Sequence, residues 1–88
     1  NHFESYIVTL IASANVAQGG TIRSLSAASG VSRARLDRIL RSESSMTMMD
    51  FQRICNALGM LPWKVALAAE IGRTYDEVVA DLEDAAAV

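Results

Sequence analysis

The 88-residue sequence holds one cysteine, one histidine, one proline and one lysine. A single thiol, Cys55, excludes an internal disulfide framework and fits a reducing, intracellular compartment. His2 and Cys55 are the only soft metal ligands, too few for a four-ligand structural zinc site. Long apolar runs are missing as well. The longest, Ile7 to Ala17, is broken by Thr9, Ser13 and Asn15 and falls short of the ~20 residues that a bilayer requires. No basic-then-apolar leader opens the chain, which begins at Asn1 rather than methionine, as a trimmed or partial chain would. No nucleophile, base and orienting group can be assembled, and no phosphate-binding glycine loop is present. Neither an enzyme, a cofactor, a small-molecule ligand nor a membrane partner is therefore expected.

Apolar residues make up 51% of the chain and the net charge is only −2, a balance opposed to disorder. The charge is unevenly placed. Between residues 23 and 53, six arginines (23, 33, 35, 38, 41 and 53) face Asp37, Glu43 and Asp50, a local balance of +3. From Glu70 onward, six acids (Glu70, Asp76, Glu77, Asp81, Glu83 and Asp84) face Arg73, a balance of −5. A mildly acidic chain can thus show a polyanion a basic face, although charge clusters also serve simply to solvate helices. All basic residues except Lys64 are arginine, which suits bidentate contact with phosphate and guanine and equally suits a GC-rich genome.

Apolar positions recur with period 3.6, and no stretch alternates long enough for a strand. The pattern predicts a single all-α bundle of five to six short helices. The first runs from about Phe3 to Ala17, with Phe3, Ile7, Leu10, Ile11 and Ala14 inward, and ends at Gly19-Gly20. Thr21 caps a short second helix, Ile22 to Ser29, with Leu25 and Ala28 inward. Ser32 caps a third from Arg33 to about Ser42. Thr47 and Asp50 have capping-box spacing before a fourth helix, which turns Phe51, Ile54, Cys55 and Leu58 inward and stops at Gly59. Pro62 suits the first position of a fifth helix ending near Gly72. Thr74 and Glu77 form a second box, opening a sixth helix with Tyr75, Val78, Val79, Leu82 and Ala86 on one face.

The specific signal lies between Leu25 and Ile39. Two short helices joined tightly need a small residue where they touch, here Ser26, and a positive φ at the turn, which Gly30 supplies. Val31, Leu36 and Ile39 seal the underside against Leu25. On the third helix Ala34, Arg38 and Arg41 lie opposite Leu36, Ile39 and Leu40. A serine-capped helix with arginines and one small residue facing outward has the shape for the major groove of duplex DNA.

Residues 21–67 resemble the lambda Cro/repressor-type, or XRE, helix-turn-helix family. The match includes Arg38-Ile39-Leu40-Arg41-Ser42-Glu43 and the block from Thr47 to Gly59, with its alanine-leucine-glycine ending. Three positions depart from the family pattern: Ile22 replaces a phosphate-holding glutamine, Ser26 the usual alanine, and Ser42 a frequent glycine. The last two exchange one small residue for another.

The resemblance implies a lambda repressor-like domain over 1–72, with the helix-turn-helix at about 22–42. It implies sequence-specific binding of double-stranded DNA by a bacterial or phage transcriptional regulator, a repressor or a self-repressing antitoxin, in the cytoplasm. Carried over by position, Ser32, Arg33, Ala34 and Arg38 would read bases. Arg23, Arg35, Arg41, Thr21, Ser44, Ser45 and Thr47 would hold phosphates. Intrahelical pairing of Asp37 with Arg33 or Arg41 competes, at only ~0.2–0.5 kcal/mol per pair. The other reading of the fold is a protein-interaction module without DNA binding, consistent with the acidity and with Ile22.

Residues 73–88 form a C-terminal amphipathic helix or the start of a linker. Tyr75, Val78, Val79 and Leu82 are its candidate homodimer stripe, since two-fold sites are commonly bound by dimers. Cys55 is expected in the core and His2 in solvent. Met46, Met48 and Met49 are read as core filling and capping contacts before a partner-binding patch, and Trp63 as packed on the core before an anchor.

Overall fold

Glycine, proline and capping side chains divide residues 2–86, the part described by the computed structural model, into six helices. These are α1 (His2–Ala17), α2 (Ile22–Ser29), α3 (Arg33–Leu40), α4 (Met48–Leu58), α5 (Pro62–Ile71) and α6 (Tyr75–Ala86). No strand occurs among the described residues, so the architecture is a small all-α bundle. None of these helices alone is long and apolar enough to cross a membrane.

The helix starts follow local chemistry. At α4 the Thr47 hydroxyl accepts the Asp50 N–H at 3.0 Å, while the Asp50 carboxylate accepts the Thr47 N–H at 3.1 Å. Thr74 and Glu77 exchange the same two bonds at the start of α6. At α2 the partner of Thr21 is Ser24, whose hydroxyl accepts the Thr21 N–H at 2.8 Å. Pro62 opens α5 with no side-chain cap at Leu61.

The largest of the essentially inaccessible side chains are Ile11, Leu36, Ile39, Ile54, Cys55, Val65 and Val78. They come from α1, α3, α4, α5 and α6, and Leu25 of α2, at 2% exposure, belongs to the same core. Helix α1 packs on α5, α4 and α3, α2 packs on α4 and α3, and α6 packs on α5. Three hydrogen bonds tie the periphery to this core. The Tyr6 hydroxyl donates to the Arg73 carbonyl at 3.1 Å, the Leu61 N–H donates to the Tyr75 hydroxyl at 3.0 Å, and the Gln18 amide donates to the Leu58 carbonyl at 2.8 Å.

Several sequence expectations need correction. Helix α3 stops at Leu40 rather than Ser42, because Ser42 adopts φ 60°, in the left-handed region. The inner side of α2 is Leu25 and Ser29, and Ala28 is exposed. Ser29 can be buried because its hydroxyl accepts the Val31 N–H at 3.2 Å. Phe3 is 41% exposed, since α1 begins beyond the edge of the core. Met46 packs against the core as expected, but Met48 and Met49 are exposed in the first turn of α4, where the inward place belongs to Asp50. Trp63 is 56% exposed and carries the Lys64 ammonium 5.5 Å from its ring centroid.

The segments 1–72 and 73–88 share the core rather than dividing it, because Val78 is buried with the residues of α1 and α5. Asn1, Ala87 and Val88, at their outer ends, lie outside the described residues.

Candidate nucleic-acid interface

The connection between α2 and α3 is three residues long, Gly30 to Ser32. Gly30 takes φ 79° and ψ 5°, and its N–H donates to the Ser26 carbonyl at 2.9 Å. Ser26 is small enough to sit beside the turn, and its hydroxyl donates to the Val31 carbonyl at 2.6 Å. Val31, Leu36 and Ile39 are buried with Leu25. The underside is therefore apolar and closed. The Ser32 hydroxyl accepts the Arg35 N–H at 3.3 Å and so caps α3.

The opposite side of α3 is open. Ser32, Arg33, Ala34 and Arg38 are all exposed. Among the described residues neither Arg33 nor Arg38 has an ion-pair partner, so both guanidiniums face outward for an external acceptor. Of the two competing intrahelical pairs, only Asp37–Arg41 forms, at 3.2 Å between exposed side chains. Such a pair contributes ~0.2–0.5 kcal/mol and yields readily to a stronger anion.

The chain matches no protein-family model, no curated protein and no solved structure. The chemistry of its surface therefore rests on the residues themselves.

Around α3, the expected phosphate ligands divide. Arg23 is exposed and has no ion pair among the described residues. Thr21 and Thr47 are exposed but serve as helix caps, Ser45 is exposed, and Ser44 is half-buried. Arg35 does not fit the expectation. Its Nε and Nη2 both donate to one oxygen of Asp50, Oδ2, and Nη2 also reaches the Ser45 carbonyl at 3.4 Å. The pair is largely sheltered, with 11% of the Asp50 side chain and 32% of the Arg35 side chain exposed. Hydrogen bonding from Arg35, reinforced by Thr47, holds the Asp50 carboxyl down to about 2 against the opposing effect of burial. The same bond raises the Arg35 guanidinium above its ordinary value.

Arg53 on α4 was not among the expected contacts, yet it is exposed and has no ion pair among the described residues. Its signal in the sequence is its place two residues after Phe51, on the polar side of a helix whose apolar side is Ile54, Cys55 and Leu58. Among the described residues, the arginines without a carboxylate partner are Arg23, Arg33, Arg38 and Arg53, and all lie on α2, α3 and α4. Arg73, beside the acidic α6, is instead paired with Glu77 at 3.2 Å and Asp81 at 2.9 Å.

The candidate dimer stripe is largely consumed by the monomer. Val78 is 2% exposed, and Tyr75 and Leu82 pack against the core beside it. Val79 is half-buried. Cys55 is fully buried, and burial pushes its thiol up to about 11, which opposes thiolate chemistry.

Proposed function

We propose that this chain is a sequence-specific double-stranded DNA-binding regulator of the lambda Cro/repressor (XRE) type, of bacterial or phage origin, acting as a repressor in the cytoplasm. The observation that carries the reading is the segregation of charge. In a chain of net charge −2, every arginine without a carboxylate partner among the described residues lies on α2, α3 or α4. Helix α3 would enter the major groove, with Arg33 and Arg38 each bracketing guanine O6 and N7 and Ala34 against a thymine methyl. Ser32 would serve at the entrance to the groove. Arg23, Arg53 and, after release from Asp37, Arg41 would hold phosphates, with the exposed hydroxyls of Thr21, Ser45 and Thr47 beside them. The acidic α6 would be held away from the duplex by repulsion.

One observation favours a second reading, a helix-turn-helix used to bind protein. Ile22, where a phosphate-holding side chain would stand, packs against the core instead. Selection of this chain on a random duplex pool at near-physiological salt separates the two. An enriched motif supports the regulator, and its symmetry reports whether one or two copies bind. No enrichment, with only a salt-sensitive background, moves the protein-binding reading to first place.

A further inference from the structure

A single carboxylate oxygen joins three pieces of backbone around the reading end of α3. Asp50 Oδ2 accepts from Arg35 Nε at 3.1 Å, from Arg35 Nη2, and from the Thr47 N–H at 3.1 Å. Arg35 lies in the first turn of α3, where its own N–H donates to the Ser32 hydroxyl. Its Nη2 also holds the Ser45 carbonyl of the loop between α3 and α4. Asp50 in turn belongs to the first turn of α4, whose other end is anchored in the core through Ile54, Cys55 and Leu58. The first turn of α3 and the following loop are thus both referred to a buried, fixed point on α4.

We infer that Asp50 is a positioning residue for DNA reading. Through Arg35 it sets where α3 presents Ser32, Arg33 and Ala34, and it withholds the Arg35 guanidinium from the phosphates. The inference rests on the DNA-binding reading proposed above and adds to it a residue that touches no base. A charge committed to an internal pair releases no counterions on DNA, so it contributes nothing to the salt slope of binding. A tether that orients a recognition helix acts on the ratio between right and wrong sites, because contacts to base edges depend on placement far more than contacts to a continuous phosphate backbone do.

The test titrates the wild-type chain, Arg35→Ala and Asp50→Asn against a selected duplex and a scrambled duplex, between about 50 and 200 mM salt. Affinities are normalised to the folded fraction seen by circular dichroism. Arg35→Ala is expected to leave the salt slope on scrambled DNA unchanged while the preference for the selected site falls about tenfold. Asp50→Asn is expected to lose the same preference and to steepen the slope by up to ~0.9, because Arg35 is set free. With affinities so normalised, a merely stabilising pair would leave both affinities and their ratio untouched, and that result also overturns the inference. Flattening of the slope by ~0.9 in Arg35→Ala, with preference intact, overturns the inference and makes Arg35 a phosphate ligand.

Amide hydrogen exchange in the DNA-free protein reads the tether independently. Asp50→Asn and Arg35→Ala should both speed exchange at Thr47 and in the first turn of α3. Unchanged protection in folded variants also overturns the inference. A wild-type chain that selects no duplex removes the DNA reading and the positioning role with it, and that failure is seen before any variant is made.

Discussion

Ser42 shows how much one dihedral can carry. Its N–H donates to the Ile39 carbonyl at 3.0 Å and the Glu43 N–H donates to the Arg38 carbonyl at 2.8 Å, the pair of bonds that closes a helix through a left-handed residue. An L-residue in that region costs roughly 1–2 kcal/mol, whereas glycine enters it freely but carries about 0.5–1 kcal/mol of extra chain entropy. Ser42→Gly is therefore expected to stabilise the fold by roughly 0.5–1 kcal/mol in urea denaturation. A loss of stability would mean that the serine side chain contributes more than the strained φ takes away. Asp50 gives a prediction in pH. Its folded value of about 2 lies below the ordinary 3.8, so on acidification the unfolded chain takes up the proton first. The pair's contribution is complete above about pH 5 and is lost progressively as the pH falls from there toward 2. The stability difference between wild type and Asp50→Asn should stay constant from neutrality to about pH 5 and shrink below it. A difference that stays flat to pH 2 would contradict the depressed carboxyl.

At the scale of elements, the joints around α2 matter most, because α2 has eight residues and buries only Leu25 and Ser29. Two glycines flank it for different physical reasons. At Gly30 a Cβ would meet nothing within 4 Å, so Gly30→Ala suffers only the left-handed backbone, about 1 kcal/mol. At Gly20 the backbone has no positive φ, but a Cβ would stand 2.1 Å from Asn15 Oδ1 and 3.1 Å from the Asn15 carbonyl. Asn15 is buried and its amide holds the Thr21 carbonyl at 3.4 Å, so it cannot move aside without loosening the start of α2. Gly20→Ala is expected to cost more than Gly30→Ala, on the order of 2 kcal/mol or more. Thermal unfolding of the two variants side by side checks the order, and the reverse order would refute the steric account.

The whole molecule measures 45 × 26 × 20 Å, and α6 completes its core. An apolar stripe at helical spacing says that something covers it, and here α5 and the body of the bundle do so. Val78→Ala removes roughly 2 kcal/mol of buried contact, equivalent to about 10 °C in Tm for a domain of this size. That shift should be the same at low and high protein concentration, because the contact is intramolecular. A shift that grows with dilution would restore α6 to a subunit interface.

Local chemistry dictated much of this protein. Capping pairs three residues apart, glycines after apolar runs and a lone proline placed every helix to within two residues, and the apolar period found Ile11, Leu36, Ile54, Cys55 and Val78 as core. The turn at Gly30 and the open arc of Ala34, Arg38 and Arg41 were legible for the same reason: they depend on neighbours within one or two turns. What depends on distant neighbours was settled only by packing. Arg35 and Asp50 are fifteen residues apart, and neither spacing nor helical phase pairs them. Phe3, Met48 and Trp63 are apolar, yet hydrophobicity states a preference for burial without saying where the core ends. A helix wheel likewise assigns Val78 to a face, while only the tertiary arrangement shows that α5, within the same chain, already occupies it.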